Sequence, residues 1–222
     1  MILGHPILRS YAPGSIIVMQ DDFTGTVIDT DKWTVSNPGS PNYTITQNNA
    51  LKLDQVTGVG VDPTTNYIWS ENYEITKGSL QVDAVNNFGL RPETIFGLWA
   101  STDGADYTND FNLISIYKVN SSLTAIQVRF NNIDTYTANI SLSYNQVYKI
   151  TYDDGSLGGS NGDIKFYYWD SGWVQIGITV NQVYPFTLRP YFKPRRLQAT
   201  ACSWQYDNFY LTNGFYETNA PV

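Results

Sequence analysis

Apolar and polar residues alternate with a period of two in short runs along most of the chain, and Gly, Pro, Asn, Asp and Ser punctuate the gaps between them. Leu80, Val82 and Ala84 oppose Ser79, Gln81 and Asp83, and Thr124, Ile126, Val128 and Phe130 oppose Ala125, Gln127, Arg129 and Asn131. A strand sends successive side chains to opposite faces, so each such run is expected to have a dry face and a wet one. The pattern predicts about a dozen strands, near 43–46, 50–54, 67–69, 75–85, 94–100, 111–119, 124–130, 147–152, 164–169, 174–180, 187–192 and 203–211. No long segment repeats its apolar residues at helical spacing, and Thr, Val, Ile and Tyr dominate the runs that compete, so helix is expected to be minor.

Residues 1–20 read differently. Ile7-Leu8 and Ile16-Ile17-Val18-Met19 are separated by the turn-forming Tyr11-Ala12-Pro13-Gly14-Ser15. They are expected to form an N-terminal arm followed by a first strand, with residues 21–222 as one sandwich, because no repeat or linker divides the rest. Ile2, Leu3, Ile7, Leu8 and Tyr11 give the arm more apolar surface than a solvated tail carries, which suggests docking on a neighbour or on its own sandwich. The glycine-rich stretch 153–163 is expected to close a long hairpin; its Asp spacing fits no calcium-loop signature.

Composition narrows the chemistry. Aromatic residues reach 15%, with 17 Tyr and 6 Trp, while charged residues are also only 15%, which suits strands and polar binding surfaces. A net charge of -7 disfavours nucleic acid and anionic membranes as partners. No apolar run is long enough to span a bilayer as a helix, so no membrane insertion is expected. One cysteine, Cys202, and one histidine, His5, exclude an intrachain disulfide and any metal site built on Cys or His. The first residues lack the basic start and apolar stretch of a secretory signal.

Asp21-Asp22-Phe23-Thr24-Gly25-Thr26 followed by Lys32-Trp33 resembles the opening of concanavalin A-like jelly-roll domains of the laminin-G and laminarinase type. The closing Trp204-Gln205-Tyr206-Asp207-Asn208-Phe209-Tyr210-Leu211 is similar to their last strand, and Gly78 to Val82 and Phe96 to Trp99 sit where middle strands would fall. The resemblance, over about residues 21–213, implies an all-β jelly-roll sandwich with a short N-terminal arm. It also implies a structural calcium ion tying first segment to last strand, with Asp22 and Asp207 as ligands; no other cofactor is expected. Hydrolases of this superfamily carry a Glu-x-Asp-x-x-Glu strand, which this chain lacks. Its alginate-lyase branch carries Arg-x-Glu, Gln-x-His and Tyr-Phe-Lys strands, and Arg91-Pro92-Glu93, Gln127-Val128-Arg129 and Tyr191-Phe192-Lys193 occur here in that order. Arg129 stands at the position of the base, and a guanidinium does not accept a proton near neutral pH.

The expectation from these residues is a non-catalytic module, not an enzyme. Trp99, Tyr117, Gln127, Arg129, Asn131, Trp169, Tyr191 and Lys193 are the candidate glycan-binding set, aromatic rings for stacking on sugars and polar groups for their hydroxyls. Trp33 and Trp204 are assigned to structure. An adhesin-like sandwich without disulfides or export signal, with an apolar arm, is expected to be a component of a virus particle. Tailed-phage head decoration, fibre or tail are the candidate places, assembled in the host cytoplasm. Its partners would be other virion proteins or copies of itself through the arm, and a surface polysaccharide. The alternative is a secreted stand-alone carbohydrate-binding module or an alginate-like polysaccharide lyase.

Overall fold

The computed structural model describes residues 16–36, 43–55, 66–88, 93–100, 113–119, 125–130, 133–139, 146–157, 160–183, 187–195 and 202–214. The arm residues Ile2, Leu3, Ile7, Leu8 and Tyr11, and Asn131, lie outside them. The strands in chain order are β1 (Ile17–Asp21), β2 (Thr34–Val35), β3 (Tyr43–Gln47), β4 (Leu51–Gln55), β5 (Ile68–Trp69), β6 (Gly78–Phe88), β7 (Glu93–Ala100) and β8 (Leu113–Val119). They continue with β9 (Ala125–Phe130), β10 (Ile133–Asn139), β11 (Gln146–Asp154), β12 (Asn161–Trp169), β13 (Trp173–Gln175), β14 (Val180–Asn181), β15 (Leu188–Arg195) and β16 (Cys202–Thr212). No helix occurs among the described residues.

The strands form two antiparallel sheets. A nine-stranded sheet runs β13-β12-β11-β6-β16-β4-β3, with β1 added to β16 and β14 to β12, and a seven-stranded sheet runs β10-β9-β8-β7-β15-β5-β2. This is the all-β jelly-roll sandwich that the period-two pattern implies. The dry positions of the pattern fill the space between the sheets: Leu80, Val82, Ile150, Phe166 and Leu211 from one, Ile68, Phe96, Leu98, Ile116 and Phe192 from the other.

Three differences from the sequence pattern have physical causes. β10 was not foreseen, because Ile133-Asp134-Thr135-Tyr136-Thr137-Ala138-Asn139 is mostly polar; as an edge strand paired only to β9 it needs less apolar surface than an interior strand. The run 174–180 splits into β13 and β14, with Ile176 buried in the core and Gly177 at φ 72° between them. The wet face expected of β6 is not wet, since Ser79 is 1% and Gln81 3% exposed. β6 sits in the interior of the sheet, flanked by β11 and β16 along its length.

Trp33 joins the two sheets. Its ring lies edge-on to Phe192 of β15 at 5.7 Å and to Phe209 of β16 at 5.2 Å, and tilted against Phe23 at 5.7 Å. Its indole Nε1 donates to Asp21 Oδ2 at 2.8 Å, while Asp21 Oδ1 accepts the backbone N–H of Phe23 at 2.8 Å. That second bond closes a turn in which Phe23 sits at φ 48°, an unusual conformation for a bulky residue. The opening motif thus has a physical meaning: one buried carboxylate shapes the turn and fixes the indole. Trp204, likewise assigned to structure, is buried in the same core.

Asp21→Ala leaves the Trp33 N–H and the Phe23 N–H without their acceptor in a buried setting. It is expected to cost about 2 to 4 kcal/mol, read as a lowered urea midpoint. An unchanged midpoint would show that the carboxylate does not hold this corner.

Candidate functional site

The face of the seven-stranded sheet turned away from the core carries a second buried cluster. On β15, Leu188 and Phe192 face the core, so the alternate positions Arg189, Tyr191 and Lys193 lie on the other face. Trp99 takes the same side of β7, where Phe96 and Leu98 point inward. Ile68 of β5 is in the core, and its neighbours Tyr67 and Trp69 stand opposite. Tyr67 lies 5.1 Å from Trp69 and 5.7 Å from Tyr191, centroid to centroid. Tyr191, Trp99, Lys193, Trp69 and Tyr67 are all buried, yet none belongs to the core between the sheets.

Strand register arranges the positions in rows across this sheet. One row runs Thr34, Trp69, Tyr191, Gly97, Ser115, Arg129, Asp134. The next runs Lys193, Ile95, Tyr117, Gln127, Thr137, and a third pairs Arg189 with Trp99 and Trp99 with Leu113. Six of the candidate residues, Trp99, Tyr117, Gln127, Arg129, Tyr191 and Lys193, therefore fall in three neighbouring rows of one sheet. Trp169 does not join them: it lies on β12 of the other sheet, edge-on to Trp173 at 5.3 Å. Tyr67 and Trp69 join the cluster without a signal in the sequence: the run 67–69 predicts a strand, and nothing local reports that β5 pairs with β15 beside Tyr191.

Arg189 at the end of the third row is held by Glu74, with Nε and Nη2 each 3.1 Å from Oε2, and the Thr187 hydroxyl donates to the same oxygen at 2.7 Å. Both partners are partly exposed, so this pair orients the guanidinium more than it stabilises the fold.

Of the acidic residues singled out for calcium, Asp207 lies on β16 of the nine-stranded sheet and Asp22 directly follows β1. Asp22 accepts the backbone N–H of Thr24 at 3.1 Å and its hydroxyl at 3.0 Å, which holds its pKa below the ordinary value, chiefly through the backbone bond. Asp207 accepts the backbone N–H of Asn208 at 2.8 Å. Its pKa is raised, first by burial and then by the charges of Asp22 and Asp21. The two carboxylates are thus near neighbours, but Asp21 beside them spends both oxygens on Phe23 and Trp33. Among the described residues no group of three or more Asp, Glu, His or Cys side chains is arranged to hold a metal ion, and the pair does not make a calcium shell of six to eight oxygens.

Asp83 stands beside this group on β6, opposite Asp207. Burial, and then the charge of Asp207, push its pKa up to about 6, against a bond of 2.9 Å from the Asn208 amide that pulls it down.

No protein-family model matches this chain, and no curated protein sequence does. Solved structures do resemble it. The β-glucanase of Bacillus licheniformis matches with a TM-score of 0.56 at 14% identity, over 90% of this chain and 99% of that one. The laminarinase catalytic domain of Thermotoga maritima matches with a TM-score of 0.60 at 10% identity, over 88% and 98%. A GlcNAcα1-4Gal-releasing endo-β-galactosidase of Clostridium perfringens matches with a TM-score of 0.60 at 14% identity, over 96% of this chain and 66% of that one. At such identity the likeness is one of fold, and the fold is the concanavalin A-like jelly roll. It also corrects the functional expectation. These three structures are glycosidases and glucanases, a finding that overturns the reading as a non-catalytic virion component in phage head, fibre or tail. The expectation of no enzyme falls with it, and the lyase alternative gains no support.

The pH dependence of stability follows from Asp83. A carboxyl whose folded pKa is raised from 3.8 to about 6 holds its proton more tightly in the fold than in the unfolded chain. Stability therefore falls as pH rises from about 4 through about 6, and is flat beyond. Asp83→Asn keeps the shape without the charge and is expected to gain in melting temperature over the parent across that window. Parallel pH profiles for the two proteins would refute the assignment.

Proposed function

We propose that the chain is a carbohydrate-active protein that takes a polysaccharide against the outer face of its seven-stranded sheet and hydrolyses glycosidic bonds there. The observation that carries the reading is the second aromatic cluster, Tyr67, Trp69, Trp99 and Tyr191 with Lys193, built on a face that the core does not need. Saccharide sites are lined by aromatic side chains with a few convergent polar groups, and here the buried rings form the floor on which such a site would be shaped. The fold shared with laminarinases and β-glucanases supports the same reading.

Hydrolysis needs a carboxylic acid to protonate the leaving oxygen and a second carboxylate as nucleophile or base. β8 has no Asp or Glu, and β7 has only Glu93 at its start. The connection from β7 to β8 carries Asp103, Asp106 and Asp110, and these with Glu93 are the candidates for the pair. Arg129 is suited to hydrogen-bonding substrate oxygens, not to taking a proton.

Incubation with laminarin, lichenan and a β-galactan, followed by reducing-end release, tests the reading. Turnover on at least one is expected, and Tyr191→Ala is expected to lower kcat/KM at least about tenfold with the circular dichroism spectrum unchanged. Asn replacements at Asp103, Asp106, Asp110 and, as Gln, at Glu93 should include at least one that abolishes release. Absence of release from all three polymers, or turnover indifferent to all of these substitutions, overturns it.

A further inference from the structure

We propose that the outer face of the nine-stranded sheet is a second saccharide-binding track, which takes a neutral oligosaccharide laid across the strands. The inference does not rest on the hydrolytic reading, since none of the residues it uses lies on the seven-stranded sheet. Leu80, Val82, Ile150, Phe166 and Leu211 point into the core, so the positions between them face away from it. Register connects those positions into one continuous row: Gln20 of β1 with Tyr210 of β16, Tyr210 with Gln81 of β6, Gln81 with Lys149 of β11, Lys149 with Tyr167 of β12, and Tyr167 with Gln175 of β13. Amide and aromatic side chains alternate along it, with a single cation inside. Six strands at about 4.8 Å spacing make a track about 24 Å long, the reach of a short oligosaccharide.

The row is built rather than incidental. Lys149 is only 1% exposed, and its ammonium lies 4.0 Å from the centre of the Trp173 ring and 4.9 Å from that of Tyr167. The cation thus occupies one face of each ring. Trp169 meets Trp173 edge-on at 76°, and Tyr167 meets it at 71°, which fixes the indole on an edge strand where a lone tryptophan would swing freely. Trp173 and Tyr167 are each half-buried, so part of each ring remains open to a sugar.

Two buried polar atoms at the centre of this face have no hydrogen-bond partner among the described residues. Gln81 Nε2 is a donor without an acceptor, in a side chain that is 3% exposed, and Asp83 Oδ1 is an acceptor without a donor. Asp83 Oδ2 is held by Asn208, which orients the carboxyl and leaves the other oxygen to spare. Leaving a buried donor or acceptor unpaired is costly in a fold, so their persistence needs a reason. A vicinal pair of hydroxyls supplies what both lack, one oxygen accepting from Gln81 and one O–H donating to Asp83. At the β1 end the row opens into a cavity of about 290 Å³ lined by Gln20, Asp21, Asp22, Lys32 and Tyr210. The carboxylates of Asp22, Asp83 and Asp207 flank the track, which selects a neutral sugar over an acidic one.

The test is a tryptophan-fluorescence titration and affinity electrophoresis of the whole chain with laminarin and galactomannan as neutral probes and alginate as the acidic one. Binding to at least one neutral probe is expected, with alginate weaker. In a chain that carries Tyr191→Ala, which removes the proposed site on the other sheet, Trp173→Ala and Gln81→Leu should each weaken the remaining binding at least tenfold, while Val27→Ser, an exposed position outside both sheets, leaves it unchanged. Gln81→Leu also separates binding from structure: an unpaired buried amide is replaced by an apolar side chain of similar size, so the variant should melt no lower than the parent. Failure of the Tyr191→Ala chain to bind either neutral probe, preference for alginate, or binding unchanged by both added substitutions overturns the proposal. Because the readout is binding, it stands or falls apart from any hydrolytic activity.

Discussion

The bond from the Trp33 indole to the Asp21 carboxylate is the constraint on which the sandwich closes. A jelly roll holds its layers together through side chains alone, since no backbone hydrogen bond crosses between sheets. Trp33 reaches Phe192 in one sheet and Phe209 in the other, and Phe192 in turn meets Tyr206 at 5.0 Å and Phe96 at 6.4 Å. One direct polar link crosses nearby, from the Tyr206 hydroxyl to Thr94 Oγ1 at 3.0 Å. An indole in this place has to satisfy its N–H, and Asp21 does so while turning the chain that brings Trp33 in. Sequence-local geometry and the sheet-to-sheet contact are therefore one device.

With the layers fixed, the two outer faces are left for other uses, and they differ in charge. Apart from Asp21, which turns to the Trp33 indole, the nine-stranded sheet carries Asp54, Asp83, Asp153, Asp154, Asp163 and Asp207 on its strands against Lys52, Lys149 and Lys165. The outward positions of the seven-stranded sheet are occupied by Arg129, Arg189, Lys193 and Arg195 against Glu93 and Asp134. A net charge of -7 describes neither face. Composition argues about the whole molecule, while a ligand meets one surface of it.

The period of two and the turn residues made most strands legible, and the opening Asp-Asp-Phe and Lys-Trp residues made the fold legible because they form its structural corner. What escaped has a common cause. Edge elements such as β10 and β14 are held by one neighbour and carry too little apolar surface to signal themselves. The burial of Ser79, Gln81 and Lys149 depends on which strands flank them, and alternation within a single strand reports the side of a residue, never what lies over it. Six of eight candidate glycan-site positions converged on one sheet because residues of a kind on alternate positions of neighbouring strands stay in rows. Trp169 was misplaced because membership of a sheet is decided by crossovers that leave no local trace. The viral reading failed for a different reason: it joined composition to the lack of an export signal, and neither is chemistry at a site.

If both proposed faces hold saccharide, the sandwich gains a consequence for the work of the domain. A polymer held along the nine-stranded sheet stays tethered while another stretch of the same chain enters the opposite face, so the second encounter becomes intramolecular. The gain is set by the effective concentration of the tethered strand, which is greatest when the polymer between the sites just spans the sandwich and falls as it lengthens. Stiff glucans would lose this advantage and flexible ones keep it. The outer track would then act on KM for long polymers and leave short oligosaccharides, which cannot reach both faces, unaffected. That asymmetry follows from geometry alone, because no residue of the track lies on the sheet where the aromatic cluster stands.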